Sequence, residues 1–281
     1  MPSRALGSLH LDVNDVARPT GASVLCLHGL FAGSWVYERL LPLLATRGYP
    51  AAALSFRGHP PSAPIRELGR TSISAYCHDA AEAAKALDRP IVIGHSLGGL
   101  VAQMLAGRNL VRAVVLISSA PPRGINVLSA QLVLRMPRYF PALLLSRPFL
   151  PRAADLDALV LNRVPASARE AERARLVPDS GCAARQAALG VIDVPARDIR
   201  VPMLVVGGDA DRFIPIGVTR RVAQRYGAPL HVARGHGHFL LAEPGWEEHA
   251  TAVIDWIDAL PPSIRGPAGR SVTAAANPSR G

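Results

Sequence analysis

The stretch Ile91-Val92-Ile93-Gly94-His95-Ser96-Leu97-Gly98-Gly99-Leu100 decides the fold. Its three leading β-branched residues read as a short strand buried on both faces of a parallel sheet. From Leu97 to about position 106 the apolar pattern becomes helical. Between the two lies Gly94-x-Ser96-x-Gly98, so a serine falls on the turn from strand to helix. A turn this tight imposes strained backbone angles on its central residue, and glycine on either side removes the side chains that would collide there. Ser96 is therefore expected to project from the carboxyl edge of the sheet, beside the unpaired N–H groups of a helix N-terminus. The plainer reading is that Ser96 only caps that helix.

The same rhythm continues outward. Residues 22–27, 51–55 and 111–117 read as further buried strands, and 34–47 and 71–87 as helices. Strand alternating with helix predicts an α/β fold: a doubly wound, mostly parallel central sheet with helices on both faces. Residues 6–13 alternate weakly and are expected at the sheet edge. The rhythm stops at Ala120-Pro121-Pro122. Residues 123–200 are rich in Leu, Arg, Ala and Pro, with helical patches at 127–135 and 156–163 and no clear buried strand. It resumes with strands at 203–206 and 230–232 and helices at 216–226 and 245–260. The expected organisation is a core of residues 1–121 and 201–260, a helical cap at 122–200, and a disordered Pro/Gly/Ser/Ala-rich tail at 261–281.

The chain has 281 residues, 49% of them hydrophobic and 19% charged, enough for one substantial core. These values exclude a disordered chain, a coiled coil and a collagen-like repeat. The cysteines, Cys26, Cys77 and Cys182, are far apart and odd in number, which argues against a disulfide scaffold and a structural zinc site. The net charge is +10, yet 30 of the 31 basic residues are arginine, and they are scattered rather than blocked. That skew fits codon bias better than nucleic-acid binding, for which no recognition motif is present. A basic surface does favour weak association with anionic membranes. The first ten residues lack the apolar core of a signal peptide, and no apolar run is long enough to span a bilayer, so a cytoplasmic location is expected.

A serine hydroxyl needs a base, and the base needs an orienting acid. Two carboxylates, Asp209 and Asp211, follow the strand at 203–206; two histidines, His236 and His238, follow the strand at 230–232. A parallel sheet brings all of these strand ends to one edge. The order serine, aspartate, histidine is that of one hydrolase architecture.

Taken together the chain resembles the α/β-hydrolase superfamily, in the cap-bearing form that includes esterases, thioesterases, lipase-like enzymes and C–C bond hydrolases. The resemblance runs from about residue 25 to residue 260. It rests on the turn at 94–98 and on four further segments. His28-Gly29-Leu30-Phe31 is similar to the family's oxyanion loop, and Arg57-Gly58-His59 to its R-G-x turn. Gly208-x-x-Asp211-x-x-x-Pro215 is similar to its acid segment, and Gly237-His238-x-x-x-x-Glu243 to its base segment. The resemblance implies Ser96 as nucleophile, His238 as general base, Asp211 as orienting acid, and the backbone N–H groups of Leu30 and Leu97 as oxyanion hole, with no cofactor and no metal. His236 and Asp209 lie outside those registers and are expected in loop and turn roles. His95, His28 and His59 are expected to serve packing and hydrogen bonding, and Cys26 the core. Ser55 stands where the family often has Asp, which leaves the conformation of the Arg57 turn open.

The implied activity is hydrolysis of a carboxylic ester or thioester on a small-molecule or lipid-like substrate. C–C bond hydrolysis of a diketone-like substrate and a non-enzymatic ligand receptor are the alternatives. A serine at position 96 argues against epoxide hydrolases and dehalogenases, which use aspartate there. The signatures of zinc proteases, P-loop hydrolases and dinucleotide-binding enzymes are absent. Apolar residues of the insertion, Val127-Leu128, Leu132-Val133-Leu134 and Leu143-Leu144-Leu145 among them, either pack the cap on the core or line a wide acyl pocket.

Overall fold

The structure, a computed structural model, describes residues 2–127 and 129–266. It begins with a hairpin, β1 (Ser3–Leu6) and β2 (Leu9–Asn14), and continues β3 (Val24–Leu27), α1 (Leu40–Thr46), β4 (Ala51–Ser55), α2 (Ile73–Ala86), β5 (Ile91–His95), α3 (Leu97–Gly107) and β6 (Ala113–Ile117). Then come α4 (Ala130–Val133), α5 (Phe140–Leu144), β7 (Pro148–Phe149), α6 (Ala153–Leu159), α7 (Ala166–Ala174), β8 (Asp179–Ser180) and α8 (Gly181–Ala188). The chain closes with β9 (Met203–Gly208), α9 (Ile216–Tyr226), β10 (Leu230–Ala233), α10 (Trp246–Asp258) and α11 (Pro262–Arg265).

Among the described residues the main sheet has eight strands in the order β1-β2-β4-β3-β5-β6-β9-β10. Only the pairs made by β2 are antiparallel; every other pair is parallel. The side chains of each central strand divide by parity, as a pleated strand requires. Leu25, Leu27, Val92, Val114 and Leu116 pack toward α2, α3 and α9 on one face. Val24, Cys26, Ile91, Ile93 and Val115 pack toward α1 and α10 on the other. Both faces are covered, so these strands read as continuous apolar runs. Truncating a core leucine such as Leu25 costs about 2–5 kcal/mol.

Several elements differ from the sequence expectation for clear reasons. The helix expected over 34–47 is a 3-10 turn, Ser34–Tyr37, followed by α1. Pro42 explains the break, because its ring would strike the carbonyl of residue 38 in a continuous helix. The weakly alternating N-terminus forms a hairpin at the sheet edge, as expected, with β1 outermost and β2 paired on its other side to β4. The insertion contains a strand pair that its sequence does not announce: β7 pairs antiparallel with the buried β8. Two-residue strands are too short to carry a readable period. The expected tail begins later than residue 261, since α11 packs there and Ala22 N–H donates to the Arg265 carbonyl at 2.8 Å; residues 267–281 lie outside the described residues.

Register positions the chemistry. Leu27 of β3 pairs with Gly94 of β5, so the loop after β3 lies against the turn after β5. The loops leaving β9 and β10, a parallel pair, reach the same edge. Residues 122–200 fall between β6 and β9, and side chains from this segment wall a cavity above that edge.

Candidate active site

Ser96 sits between β5 and α3 at φ 52°, ψ −118°, a strained conformation for a residue with a side chain. The turn is so tight that a Cβ at Gly98 would run into the Leu27 carbonyl oxygen, and one at Gly94 into the Gly98 carbonyl. Although Ser96 occupies the cap position of α3, its side chain makes no capping hydrogen bond, which removes the plainer reading of this serine. Ser96 projects at the carboxyl edge of the sheet, is only 7% exposed, and opens into a cavity that the insertion helps to wall.

Ser96 Oγ lies 3.1 Å from His238 Nε2, and His238 Nδ1 lies 2.9 Å from Asp211 Oδ2. A carboxylate only accepts, so Nδ1 carries the proton and Nε2 is left to accept a hydrogen bond from the Ser96 hydroxyl. The other Asp211 oxygen accepts the N–H groups of Phe213 and Ile214, both at 2.8 Å, which fixes the carboxylate plane. Three residues separated by up to 142 positions thus meet in a buried line. The rejected alternatives have other occupations. Asp209 accepts the Gly235 N–H at 2.6 Å. His236 faces the carbonyls of Arg234 and Pro244, each at 3.0 Å, and so braces its own loop.

Leu30 and Leu97 both line the cavity with Ser96, and among the described residues neither backbone N–H has a protein acceptor. Gly29 permits this approach: a Cβ there would stand 2.8 Å from Ser96 Cβ. His28 anchors the loop from below. Phe56 N–H donates to its Nε2 at 3.1 Å, so Nδ1 is the protonated nitrogen and donates to the Gly29 carbonyl at 2.7 Å. Burial, with His59 nearby, lowers the His28 pKa to about 3 and keeps the ring neutral. His95 is similarly neutral, lowered to about 3 by burial and by His238 beside it. Its Nε2 donates to the His238 backbone carbonyl at 2.9 Å, so it holds the base's main chain and not the proton in transfer.

Three acidic residues matter more than their sequence context suggests. Glu243, buried in the base segment, accepts the Gly237 N–H at 2.7 Å and so fixes the residue before His238. Burial raises its pKa. Asp79 of α2 settles the Arg57 turn: Arg57 Nε lies 2.9 and 3.0 Å from its two oxygens, and the Arg57 backbone N–H donates to the same group. Ser55, in the position where aspartate was the family expectation, accepts the Ser34 N–H at 3.0 Å. Asp179 of β8 is fully buried and accepts from Phe31 N–H at 2.8 Å and from Tyr76 Oη at 2.6 Å, with His59 Nε2 at 2.9 Å. Asp179 stands alone in an unpatterned stretch, and no local signal marks it.

The cavity has a volume of about 170 Å³ and is lined almost entirely by apolar side chains. Phe213, Phe239 and Ile214 contribute from the core; Met136, Leu143, Leu156 and Leu159 from the insertion. Arg135, Tyr139 and Asp155 form a polar corner, where Tyr139 Oη donates to Asp155 at 2.5 Å. Among the described residues no group of three or more His, Cys, Asp or Glu could hold a metal ion.

Comparisons with known proteins agree with this architecture. Residues 24–256 match the model of the alpha/beta hydrolase family. An uncharacterised protein of Mycobacterium tuberculosis (strain ATCC 25618 / H37Rv) is 25% identical over 248 residues, covering 78% of this chain and 71% of that protein. A hydrolase from Pseudomonas aeruginosa PA01 superposes with a TM-score of 0.72 at 21% identity, covering 92% of this chain and 98% of the other. The monoacylglycerol lipase of Paleococcus ferrophilus superposes with a TM-score of 0.67 at 23% identity, covering 88% and 97%. At these identities the superpositions establish the fold alone, and the family model spans most of the sequence: the chain belongs to the alpha/beta hydrolase family.

Proposed function

We propose that this hydrolase cleaves carboxylic esters or thioesters that carry an apolar acyl group, through an acyl-enzyme on Ser96. The observation that carries the reading is the 3.1 Å approach of Ser96 Oγ to His238 Nε2 at the floor of an apolar cavity. His238 takes the hydroxyl proton as Ser96 Oγ bonds to the carbonyl carbon, and the imidazolium is stabilised by Asp211. The carbonyl oxygen gains negative charge and is met by the N–H groups of Leu30 and Leu97, a contribution of roughly 100–1000-fold in rate per donor. His238 then protonates the departing alkoxide or thiolate as its bond to carbon breaks. Water attacks the acyl-enzyme, gives its proton to His238, and the carboxylic acid leaves as Ser96 regains its hydrogen.

The substrate class follows from the lining. Each methylene transferred from water into such a site contributes about 0.8 kcal/mol, so chain length is the natural determinant of affinity. The three unpaired cysteines, two of them buried, suit a reducing compartment. Neither C–C bond hydrolysis nor a receptor role is favoured by a specific feature of the cavity. A p-nitrophenyl ester series tests the proposal: kcat/KM is expected to rise from acetate toward medium and long acyl chains, and to vanish in Ser96→Ala. Preference for acetate alone overturns the acyl-pocket reading. Ligand binding with no turnover overturns the enzymatic one.

A further inference from the structure

The insertion is apolar on both of its sides. Between residues 129 and 152, Leu132, Met136, Tyr139, Leu143 and Phe149 face the cavity above Ser96. Interleaved with them, Val133, Leu134, Phe140, Leu144, Leu145 and Leu150 face outward and are exposed, Leu134 at 76% and Leu144 at 70%. Among the described residues all the exposed large hydrophobic side chains fall between positions 133 and 191. Large apolar residues concentrated in this way mark a contact site, whereas scattered ones do not.

Charge identifies the partner. Residues 129–154 hold four arginines and no Asp, Glu or Lys. Arg135 and Arg138 share the single buried carboxylate of Asp155, at 3.2 and 3.1 Å, which leaves an excess of positive charge. Arg147 and Arg152 are exposed beside Leu144, Leu145 and Leu150. Leucine and phenylalanine side chains projecting among arginines suit a segment that lies in the headgroup layer of an anionic bilayer. A second copy of the chain fits poorly, because self-pairing would set two such basic segments face to face within a molecule of net charge +10. No helix among the described residues is long and apolar enough to cross a membrane, so contact is with the surface.

We infer that the outer side of residues 129–152 docks on an anionic lipid surface, while the inner side of the same segment walls the cavity over Ser96. Docking is independent of turnover, so it stands or falls separately from the ester-hydrolase reading. Each arginine near an anionic surface contributes roughly fivefold to partitioning.

The test is co-sedimentation of the full chain with vesicles of phosphatidylglycerol or of phosphatidylcholine, carried out with Ser96→Ala protein so that catalysis plays no part. Binding to phosphatidylglycerol is expected to exceed binding to phosphatidylcholine at least tenfold and to weaken with added salt. The triple variant Leu134→Ser, Leu144→Ser, Leu145→Ser, whose residues lie outside the cavity lining, is expected to lose at least tenfold in binding while, on the active background, hydrolysing a soluble ester normally. Arg147→Ser with Arg152→Ser provides a second arm, expected to lower binding to phosphatidylglycerol selectively. Absence of binding by the parent protein, or equal binding by the triple variant, overturns the inference. So does a dimer in light scattering that the triple variant dissolves without any vesicle binding, which assigns the face to self-association.

Discussion

Asp179 Oδ2 accepts the backbone N–H of Phe31 at 2.8 Å, joining the insertion to the loop that carries Leu30 across 148 positions of sequence. Phe31 has φ 67°, a left-handed conformation that costs free energy in a residue with a bulky side chain. The insertion holds it there through both of its backbone polar groups, since Val177 N–H also donates to the Phe31 carbonyl at 2.8 Å. The Phe31 ring meets that of Phe149 edge-on at 5.2 Å. Two hydrogen bonds and a ring contact therefore tie the insertion to the residue next to the proposed oxyanion donor.

Asp179 is accordingly a positioning residue. Asp179→Ala removes the buried partner of His59 and Tyr76 and the acceptor of the Phe31 N–H, with an expected loss of about 3–5 kcal/mol in stability. Asp179→Asn keeps one acceptor oxygen and serves as the folded control. For Asp179→Asn, kcat is expected to fall about tenfold with KM unchanged, the signature of an interaction made in the transition state. A change confined to KM, or none, contradicts the link to the Leu30 donor.

The His59–Asp179 pair gives stability a defined pH dependence. Burial works against the His59 cation, but the Asp179 carboxylate outweighs it and holds the pKa above the ordinary 6.5. Burial likewise works against the Asp179 anion, and His59 with the Tyr76 and Phe31 donors brings its pKa below the ordinary 3.8. The His59 contribution is fully present below 6.5 and is lost as pH rises through the raised value. The Asp179 contribution is present above 3.8 and is lost as pH falls through the lowered value. The difference in Tm between wild type and His59→Gln is therefore expected to be largest between pH 3.8 and 6.5 and to shrink on the alkaline side. A difference that grows with pH contradicts this assignment.

His95 adjoins Ser96, the proposed nucleophile, and holds the backbone carbonyl of His238, the proposed base. His95→Phe is expected to lower kcat about tenfold by releasing the His238 carbonyl, without adding or removing a titration in the pH–rate profile, because His95 is neutral throughout the working range. Loss of an ionisation from the profile of the variant would instead make His95 a participant in proton transfer.

Leu159 projects from α6 into the cavity and is almost fully buried. Leu159→Trp fills part of the volume that a long acyl chain would occupy. Hydrolysis of long-chain esters is expected to fall about tenfold or more while acetate esters are spared, as measured by kcat/KM across the series. Equal losses for all chain lengths would place the acyl group elsewhere.

The sequence carries the sheet and the reactive turn because both depend on local rules. Parity along β3, β5 and β6 shows as unbroken apolar runs, and the glycines at 94 and 98 mark a turn where backbone must approach backbone. Ser96, Asp211 and His238 each follow a recognisable strand, but so do Asp209 and His236, and the preference for Asp211 and His238 rests on the registers of the family resemblance. Asp179, Asp79 and the bracing of Gly237 by Glu243 are different in kind. Their partners lie in other elements, or their role is to hold a backbone N–H, and neither leaves a periodic trace. The cavity over Ser96 has the same origin: it is walled in part by the insertion, whose short helices and two-residue strands obey no period long enough to read.

The most direct measurement is the rate of labelling by a fluorophosphonate probe, with the labelled residue located by peptide mass mapping. The account predicts a single modified serine at position 96, no labelling in Ser96→Ala, strongly slowed labelling in His238→Ala, and ester turnover reduced on the order of 10^4–10^6-fold in both variants. Labelling of Ser96→Ala at the wild-type rate, or turnover that survives the loss of His238, would contradict it.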